Sequence, residues 1–281
     1  MSRVYEALRR AETGRAAAAG AAGPSAWATT LSLASSDRSP DAAAEPVFAV
    51  AAPQPTANSR LVCWSSWDSP AAEAFRQLAA RLLHLRERWQ QERRLQTLLC
   101  TSSVPQEGKS VVAANLAVAL ARTSARRVLL LEGDLRRPAQ AALWGLEPEP
   151  GLAQWIGAGQ APQNPPPVLR LGESAVYLLP AGAGAAASAG LEFLESPRAA
   201  QLLMALSGCF EWVVVDAPPL LATADAHAWA RLADGVLLVA RANRSRKAQV
   251  REALRGLETR NLLGLVLNQN PEPVLAYPPH P

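Results

Sequence analysis

Short apolar runs alternate with amphipathic stretches through the second two thirds of the chain. The runs Leu95–Thr101, Val128–Leu131, Val176–Pro180, Trp212–Val215, Gly235–Ala240 and Leu262–Leu267 predict strands. Between them, Lys109–Thr123, Pro197–Gly208, Ala222–Leu232 and Ser245–Leu257 predict helices. Unbroken Leu/Val runs such as Val128-Leu129-Leu130-Leu131 suit strands buried on both faces. Strands and helices in this alternation imply an α/β fold, a mostly parallel sheet with helices on both faces and right-handed crossovers. A further helix begins at Ser69, a candidate N-cap followed by Pro70 and Glu73, and Phe75, Leu78, Leu82 and Leu85 give it an apolar face to about Arg93.

Upstream the pattern weakens. Residues 1–18 predict an N-terminal helix with Val4 and Leu8 on one face, and 19–68, rich in Ala, Ser, Pro and Gly, predict a mobile, disordered linker. The expected α/β domain is therefore 69–270, with a Pro-rich tail at 271–281. No internal repeat is visible. No run approaches the ~20 apolar residues of a membrane helix, and no secretory signal is seen at the start. With 3 Cys in no paired spacing, the expectation is a cytoplasmic protein without a disulfide framework or zinc site.

The 281 residues are 49% hydrophobic and 19% charged, enough for a sizeable core. The net charge is +4, and the seven basic against two acidic residues of Arg241–Arg260 more than account for it. A solvated helix face is the expected reading, with an acidic partner or the inner membrane leaflet left open. No nucleic acid is expected, because no aromatic residues interleave the charges. Two of the 28 basic residues are lysines, Lys109 and Lys247. A lysine kept against such a bias marks a place that needs a compact, flexible point charge.

Lys109 lies in Cys100-Thr101-Ser102-Ser103-Val104-Pro105-Gln106-Glu107-Gly108-Lys109-Ser110, between a predicted strand and a predicted helix. The segment approximates a phosphate loop, with Ser103 in place of the first glycine. Gly108 lets the backbone approach phosphates, and amides at a helix N-terminus point at the anion. Ser103, Gln106, Glu107, Gly108, Lys109, Ser110 and Val111 form the expected cradle. Lys109 is expected to reach the β- and γ-phosphates and the Ser110 hydroxyl to hold Mg²⁺. A second segment, Val128-Leu129-Leu130-Leu131-Glu132-Gly133-Asp134-Leu135-Arg136-Arg137-Pro138, ends a strand in two carboxylates at alternate positions, which predicts that they face one site. In a third, Trp212-Val213-Val214-Val215-Asp216-Ala217-Pro218-Pro219, a hydrophobic run stops at one acid. All three lie at the carboxyl ends of predicted parallel strands, where ligands bind in open α/β sheets.

Together these segments resemble the Walker A, Walker A′ and Walker B motifs of the bacterial tyrosine kinases (BY-kinases) of capsule and exopolysaccharide synthesis, which are P-loop NTPases. The likeness runs from about Ser69 to Asn268 and includes Ser196-Pro197-Arg198, Ala233-Asp234-Gly235-Val236 and Gly264-Leu265-Val266-Leu267-Asn268. It implies transfer of the γ-phosphoryl group of Mg-ATP to tyrosine. Lys109, Glu132, Asp134 and Asp216 would act in catalysis, with Ser110, Asp134 and Asp216 at the metal, and Glu132 close to the acceptor hydroxyl. Asn268 is a candidate adenine contact and Tyr277 a candidate phosphoacceptor. A membrane-embedded polysaccharide co-polymerase that activates the chain, recruitment to the inner face of the membrane, and a homo-oligomer are implied as well.

The chain departs from the family pattern at four places. Gln106 stands where a glycine is usual and is strained if its φ is positive. Glu132 replaces an aspartate. The Glu-x-x-Arg-x-x-Arg helix motif appears as Glu73, Arg76 and Ala79, and three tyrosines remain in the chain, Tyr5, Tyr177 and Tyr277. These departures motivate an alternative, a catalytically weak nucleotide-binding scaffold of the same export system. A second alternative is a dimerising ATPase switch of the partition or septum-placement type. Against it, Val104 occupies the position where those proteins carry an additional lysine.

Overall fold

The Leu/Val runs form strands because nothing in them asks for water. A computed structural model describes residues 48–55, 60–89, 92–147, 150–157, 165–182, 187–257 and 261–270. Strands β2 (Thr97–Ser102), β3 (Val128–Glu132), β5 (Val176–Leu179) and β6 (Trp212–Asp216) are buried at every position. They are joined by β1 (Ala49–Ala51), β4 (Leu169–Leu171), β7 (Gly235–Arg241) and β8 (Leu262–Asn268) in one sheet of order β1-β4-β5-β3-β6-β2-β7-β8. Every neighbouring pair is parallel except β4–β5. The expected mostly parallel sheet is therefore present.

Side chains two apart on a strand share a face, and this divides the core into two layers. Leu98, Cys100, Val128, Leu130, Val176, Leu178 and Val214 pack beneath α1 (Val62–Ser65), α2 (Pro70–Trp89) and α3 (Lys109–Ser124). Leu99, Leu129, Leu131, Leu179, Val213 and Val215 face the other way. They are covered by α5 (Leu152–Gly157), α6 (Ala187–Glu195), α7 (Pro197–Cys209), α8 (Ala224–Leu232) and α9 (Lys247–Arg255). The short α4 (Gln140–Trp144) adds buried Trp144 to the first layer. Helix α3 is Ala-rich, with Ala113, Ala114, Ala117, Ala119 and Ala121 all buried, so its backbone lies close to the sheet. Among the described residues no helix is long and apolar enough to cross a membrane.

One expectation needs correction. The segment 19–68 reads as a mobile linker, yet its described part is packed. Ala49–Ala51 pairs in register with Leu169–Leu171 at the sheet edge. Phe48 lies 5.0 Å from the Tyr177 ring and 5.7 Å from that of Phe210. Leu61 and Cys63 are buried, and Trp64 meets Trp144 edge-on at 5.2 Å. A strand of three residues and a helix of four carry too few apolar positions to produce a period. Elements β4, α4 and α5, of three to six residues, escape sequence reading for the same reason. The predicted helix over 1–18 and the tail 271–281 lie outside the described residues.

Asn115 ties this upstream segment to the body. It is fully buried in α3; its Oδ1 accepts the Cys63 amide at 2.9 Å, and its Nδ2 donates to the Arg60 and Val111 carbonyls at 3.0 and 2.9 Å. Asn115→Ala would leave buried backbone groups unpaired, so we expect a loss of about 2–3 kcal/mol, readable as a lower midpoint in urea unfolding. Unchanged stability would show that α1 is held by packing alone.

Candidate active site

Three strand ends and one helix start converge at the carboxyl edge of the sheet. The loop after β2 leads into α3, so Lys109 and Ser110 are the first residues of that helix. Glu132 ends β3 directly beside Asp216, which ends β6, and Cys100 of β2 lies on the other side of Asp216. The segment after β6 is tied back along the loop: Ala217, Leu220 and Leu221 donate amides to the carbonyls of Cys100, Ser102 and Ser103 at 3.0, 2.8 and 3.2 Å. The Thr101 hydroxyl donates to the Pro218 carbonyl at 2.7 Å.

Lys109 Nζ lies 2.9 Å from Asp134 Oδ2, 3.4 Å from Asp216 Oδ1 and 3.3 Å from Ser110 Oγ. The three charged side chains are 12%, 5% and 1% exposed respectively. Burial pulls the Lys109 pKa down, but Asp216 and then Asp134 outweigh it and hold the ammonium above its ordinary value. Lys109, Ser110, Asp134 and Asp216 thus form one cluster. The strand alternation argument for Glu132 and Asp134 does not apply, because β3 ends at Glu132. Asp134 reaches the cluster from the following turn, where its Oδ1 accepts the Arg137 amide at 3.1 Å.

Glu132 turns elsewhere. Its Oε1 accepts the amides of Ala139 and Gln140, the latter at 2.6 Å, and its Oε2 accepts that of Ala181 at 2.9 Å. Burial pushes its carboxyl above the usual range, against the pull of those three donors. The expectation that Glu132 faces an acceptor hydroxyl is corrected on this geometry, since both oxygens are taken by backbone within the interior.

The remaining loop residues divide the same way. Gln106 has φ +67°, the strained left-handed conformation that glycine would adopt freely, and Gly108 has φ +92°. The Glu107 side chain does not face the expected phosphate position. Its Oε2 accepts the amides of Ser103 and Val104 at 2.8 and 3.1 Å, and its Oε1 accepts the Ser245 hydroxyl. Ser103 is buried, and its hydroxyl has no partner. Val111 opens the second half of the first helical turn, its carbonyl held by Asn115. Asn268 comes to the loop as expected, but its Nδ2 donates to the Glu107 carbonyl at 3.0 Å and its Oδ1 accepts the Gln269 amide at 2.9 Å. Both ends of that amide are engaged within the chain, so here it braces the loop instead of presenting a free edge to a base. Tyr277 lies outside the described residues. Tyr177 is buried against Phe48 and Phe210.

Sequence reading missed Gln140, whose Nε2 donates to Asp216 Oδ2 at 2.8 Å and to the Ser110 carbonyl at 3.1 Å. Its one signal is a glutamine opening an otherwise apolar short helix. Two further residues steady the turn after β3. Trp229 Nε1 donates to the Gly133 carbonyl at 3.2 Å, and Arg136 pairs with buried Asp225 at 3.0 Å. The cysteines take no part. Burial pushes the Cys63 thiol up to about 12 and that of Cys100 higher still, so neither supplies a thiolate.

The donor set suits a hard cation. Two buried carboxylates face one ammonium, and an uncompensated buried charge costs several kcal/mol. Among the described residues no group of three or more His, Cys, Asp or Glu side chains could hold a metal. Two carboxylates and a hydroxyl beside a phosphate-type loop match Mg²⁺, which keeps waters and takes phosphate oxygens as its other ligands. The first-turn amides of α3 have no intrahelical carbonyl to bind and are open to an anion.

No family model matches the chain. It is 32% identical over 179 residues to tyrosine-protein kinase YwqD of Bacillus subtilis (strain 168), which covers 63% of this chain and 73% of that protein. The chain belongs to the bacterial tyrosine-protein kinases. It is also 36% identical over 172 residues to succinoglycan biosynthesis transport protein ExoP of Rhizobium meliloti (strain 1021), covering 60% of this chain but 21% of that one. Among solved structures, the kinase domain of Escherichia coli tyrosine kinase ETK superposes with a TM-score of 0.65 at 25% identity, over 77% of this chain and 84% of that one. The loop conformation of this chain favours glycine at position 108. A Cβ there would lie 2.0 Å from Asn268 Nδ2, and its φ costs an L residue about 1–2 kcal/mol. Gly108→Ala is expected to lower the urea midpoint and to weaken binding of a fluorescent ADP analogue at least tenfold. Adding Asn268→Ala should relieve only the steric part, and wild-type affinity in Gly108→Ala would refute the loop geometry.

Proposed function

We propose that this chain is an ATP-dependent protein-tyrosine kinase of exopolysaccharide or capsule biosynthesis. The observation that carries the reading is the Lys109 ammonium, held between Asp134 and Asp216 in the first turn of the helix that follows the loop. Lys109 would turn from its carboxylates to the β- and γ-phosphate oxygens of ATP, while the amides of Gly108, Lys109 and Ser110 cradle them. Ser110, Asp134 and Asp216 would hold Mg²⁺, directly or through water. The bound ion supplies charge neutralisation on the transferring oxygens, the main need of phosphoryl transfer.

In the reaction a tyrosine oxygen bonds to the γ-phosphorus as the bond to the ADP oxygen breaks, and the phenol, with a pKa near ~10, gives up its proton. With both Glu132 oxygens engaged, Asp134 and Asp216 are the carboxylates left at the site to receive it. Tyr177 is excluded as acceptor by its burial, and Tyr277 is the proposed acceptor, presented by a neighbouring copy in a homo-oligomer. A membrane-embedded polysaccharide co-polymerase is the proposed activator and would bring the cytoplasmic chain to the inner face of the membrane. The support for this partner is the biosynthetic transport role in the name of ExoP.

A second reading, a nucleotide-binding scaffold with weak transfer, is favoured by two observations. Gln106 carries backbone strain in the loop, and Glu132 is committed to backbone amides. One experiment separates the readings. The full chain is incubated with Mg-ATP, with and without a co-polymerase tail, and phosphotyrosine is mapped by mass spectrometry. The kinase reading expects phosphate on Tyr277, lost in Tyr277→Phe, and reduced more than a hundredfold in Lys109→Ala. Mg-ATP binding with no phosphotyrosine under either condition establishes the scaffold instead.

A further inference from the structure

We infer that Glu132 and Gln140 form a positioning relay that fixes the Asp216 carboxylate for its metal, an assignment that rests on the Mg-nucleotide reading above. Glu132 holds the start of α4 by accepting the Ala139 and Gln140 amides with one oxygen, while its other oxygen takes Ala181 across the edge of the sheet. That fixes the backbone of Gln140. The Gln140 side chain, fully buried, then spends both Nε2 donors on the site: one on Asp216 Oδ2 at 2.8 Å, one on the Ser110 carbonyl at 3.1 Å.

Two features mark this as more than packing. Gln140 Oε1 is buried without a partner, a cost the fold would avoid if the amide were free to turn. Reversing the amide would set its oxygen against the Asp216 carboxylate, so the charge dictates the orientation. The two bonds also tie the backbone of Ser110, whose hydroxyl is expected at the cation, to the Asp216 carboxylate expected to share it. With Oδ2 held by Gln140, Asp216 has only Oδ1 to present, at a fixed angle, toward Lys109 and the metal position. Outer partners of this kind orient metal-ligating carboxylates, and their loss typically costs 10–100-fold in metal affinity. The longer side chain of Glu132 fits this task. Its additional methylene carries the carboxylate past the cluster to three backbone amides.

The test uses the full chain and a fluorescent ADP analogue, titrated at saturating Mg²⁺ and again in EDTA. Gln140→Leu is expected to cut the Mg²⁺-dependent gain in affinity about tenfold and leave metal-free affinity within about twofold. Glu132→Gln, which cannot accept the Ala181 amide with its NH₂ end, should shift the same ratio in the same direction by less. The double variant should be no worse than Gln140→Leu, because the two act in series. Gln140→Met, unbranched and flexible, replaces the Leu variant if that one fails to fold. If neither folds, Glu132→Gln carries the test on the same ratio. Affinities that fall equally with and without Mg²⁺, or a Gln140→Leu ratio equal to that of wild type, overturn the relay while leaving the kinase reading standing. A wild-type chain that binds no ADP under either condition overturns both.

Discussion

A single ammonium neutralises charge that the sheet would otherwise have to expel. Lys109 stands between two carboxylates that are almost out of reach of water. Breaking a buried pair by removing one partner costs roughly 3–5 kcal/mol, so the loop, the turn after β3 and the end of β6 are held in one arrangement. The pairing is also incomplete, one positive charge against two negative. A site of that kind is stable enough to persist and still has an electrostatic reason to take up a divalent ion together with a polyanion. Structure and proposed chemistry therefore share one cause.

The loop gains its shape from the opposite side. Glu107 binds two amides of its own loop and the Ser245 hydroxyl, Ser245 accepts the Arg241 amide at the end of β7, and Asn268 closes on the Glu107 carbonyl from β8. Gln106 is kept in a left-handed conformation by these neighbours on each side. Strain of about 1–3 kcal/mol persists only where the surroundings over-determine it, and this loop is tied to both β7 and β8. The ladder from Ala217 to Leu221 ties it to β6 as well. Rigidity of this kind pre-orders the amides of the first helical turn for an anion.

Much of this was legible in the sequence, for a physical reason. Strands buried on both faces must be apolar throughout, so the Leu/Val runs of β2, β3 and β6 announce themselves, and ligands gather at their carboxyl ends. Asp216 stands out because a charge ending an apolar run is rare, and Lys109 because it is one of two lysines among 28 basic residues and sits in a phosphate-type loop. What stayed hidden has equally physical causes. The three residues of β1 and four of α1 give no periodicity, yet Leu61 and Cys63 are core and Phe48 packs against it. Glu132 and Asp134 look equivalent in sequence, and only the backbone turn after β3 sends one to Lys109 and the other to Ala139, Gln140 and Ala181. Gln140 has no sequence pattern at all, because its partners lie thirty and seventy-six positions away.

The two departures at the heart of the site carry different physical consequences. Gln106 adopts a left-handed conformation and pays for it in strain. Glu132 alters chemistry: a longer carboxylate passes from the cluster into the frame behind it. One acid fewer at the cluster lowers its negative charge, which makes the Lys109 ammonium a better match for the two that remain. It also removes one proton acceptor, so under the proposed function the same two carboxylates would hold the metal and receive the tyrosine proton. A carboxylate coordinated to Mg²⁺ is a weaker base than a free one, because the cation stabilises its ionised form. The geometry therefore separates two tasks: Asp134 and Asp216 face Lys109, while Glu132 holds the backbone behind them.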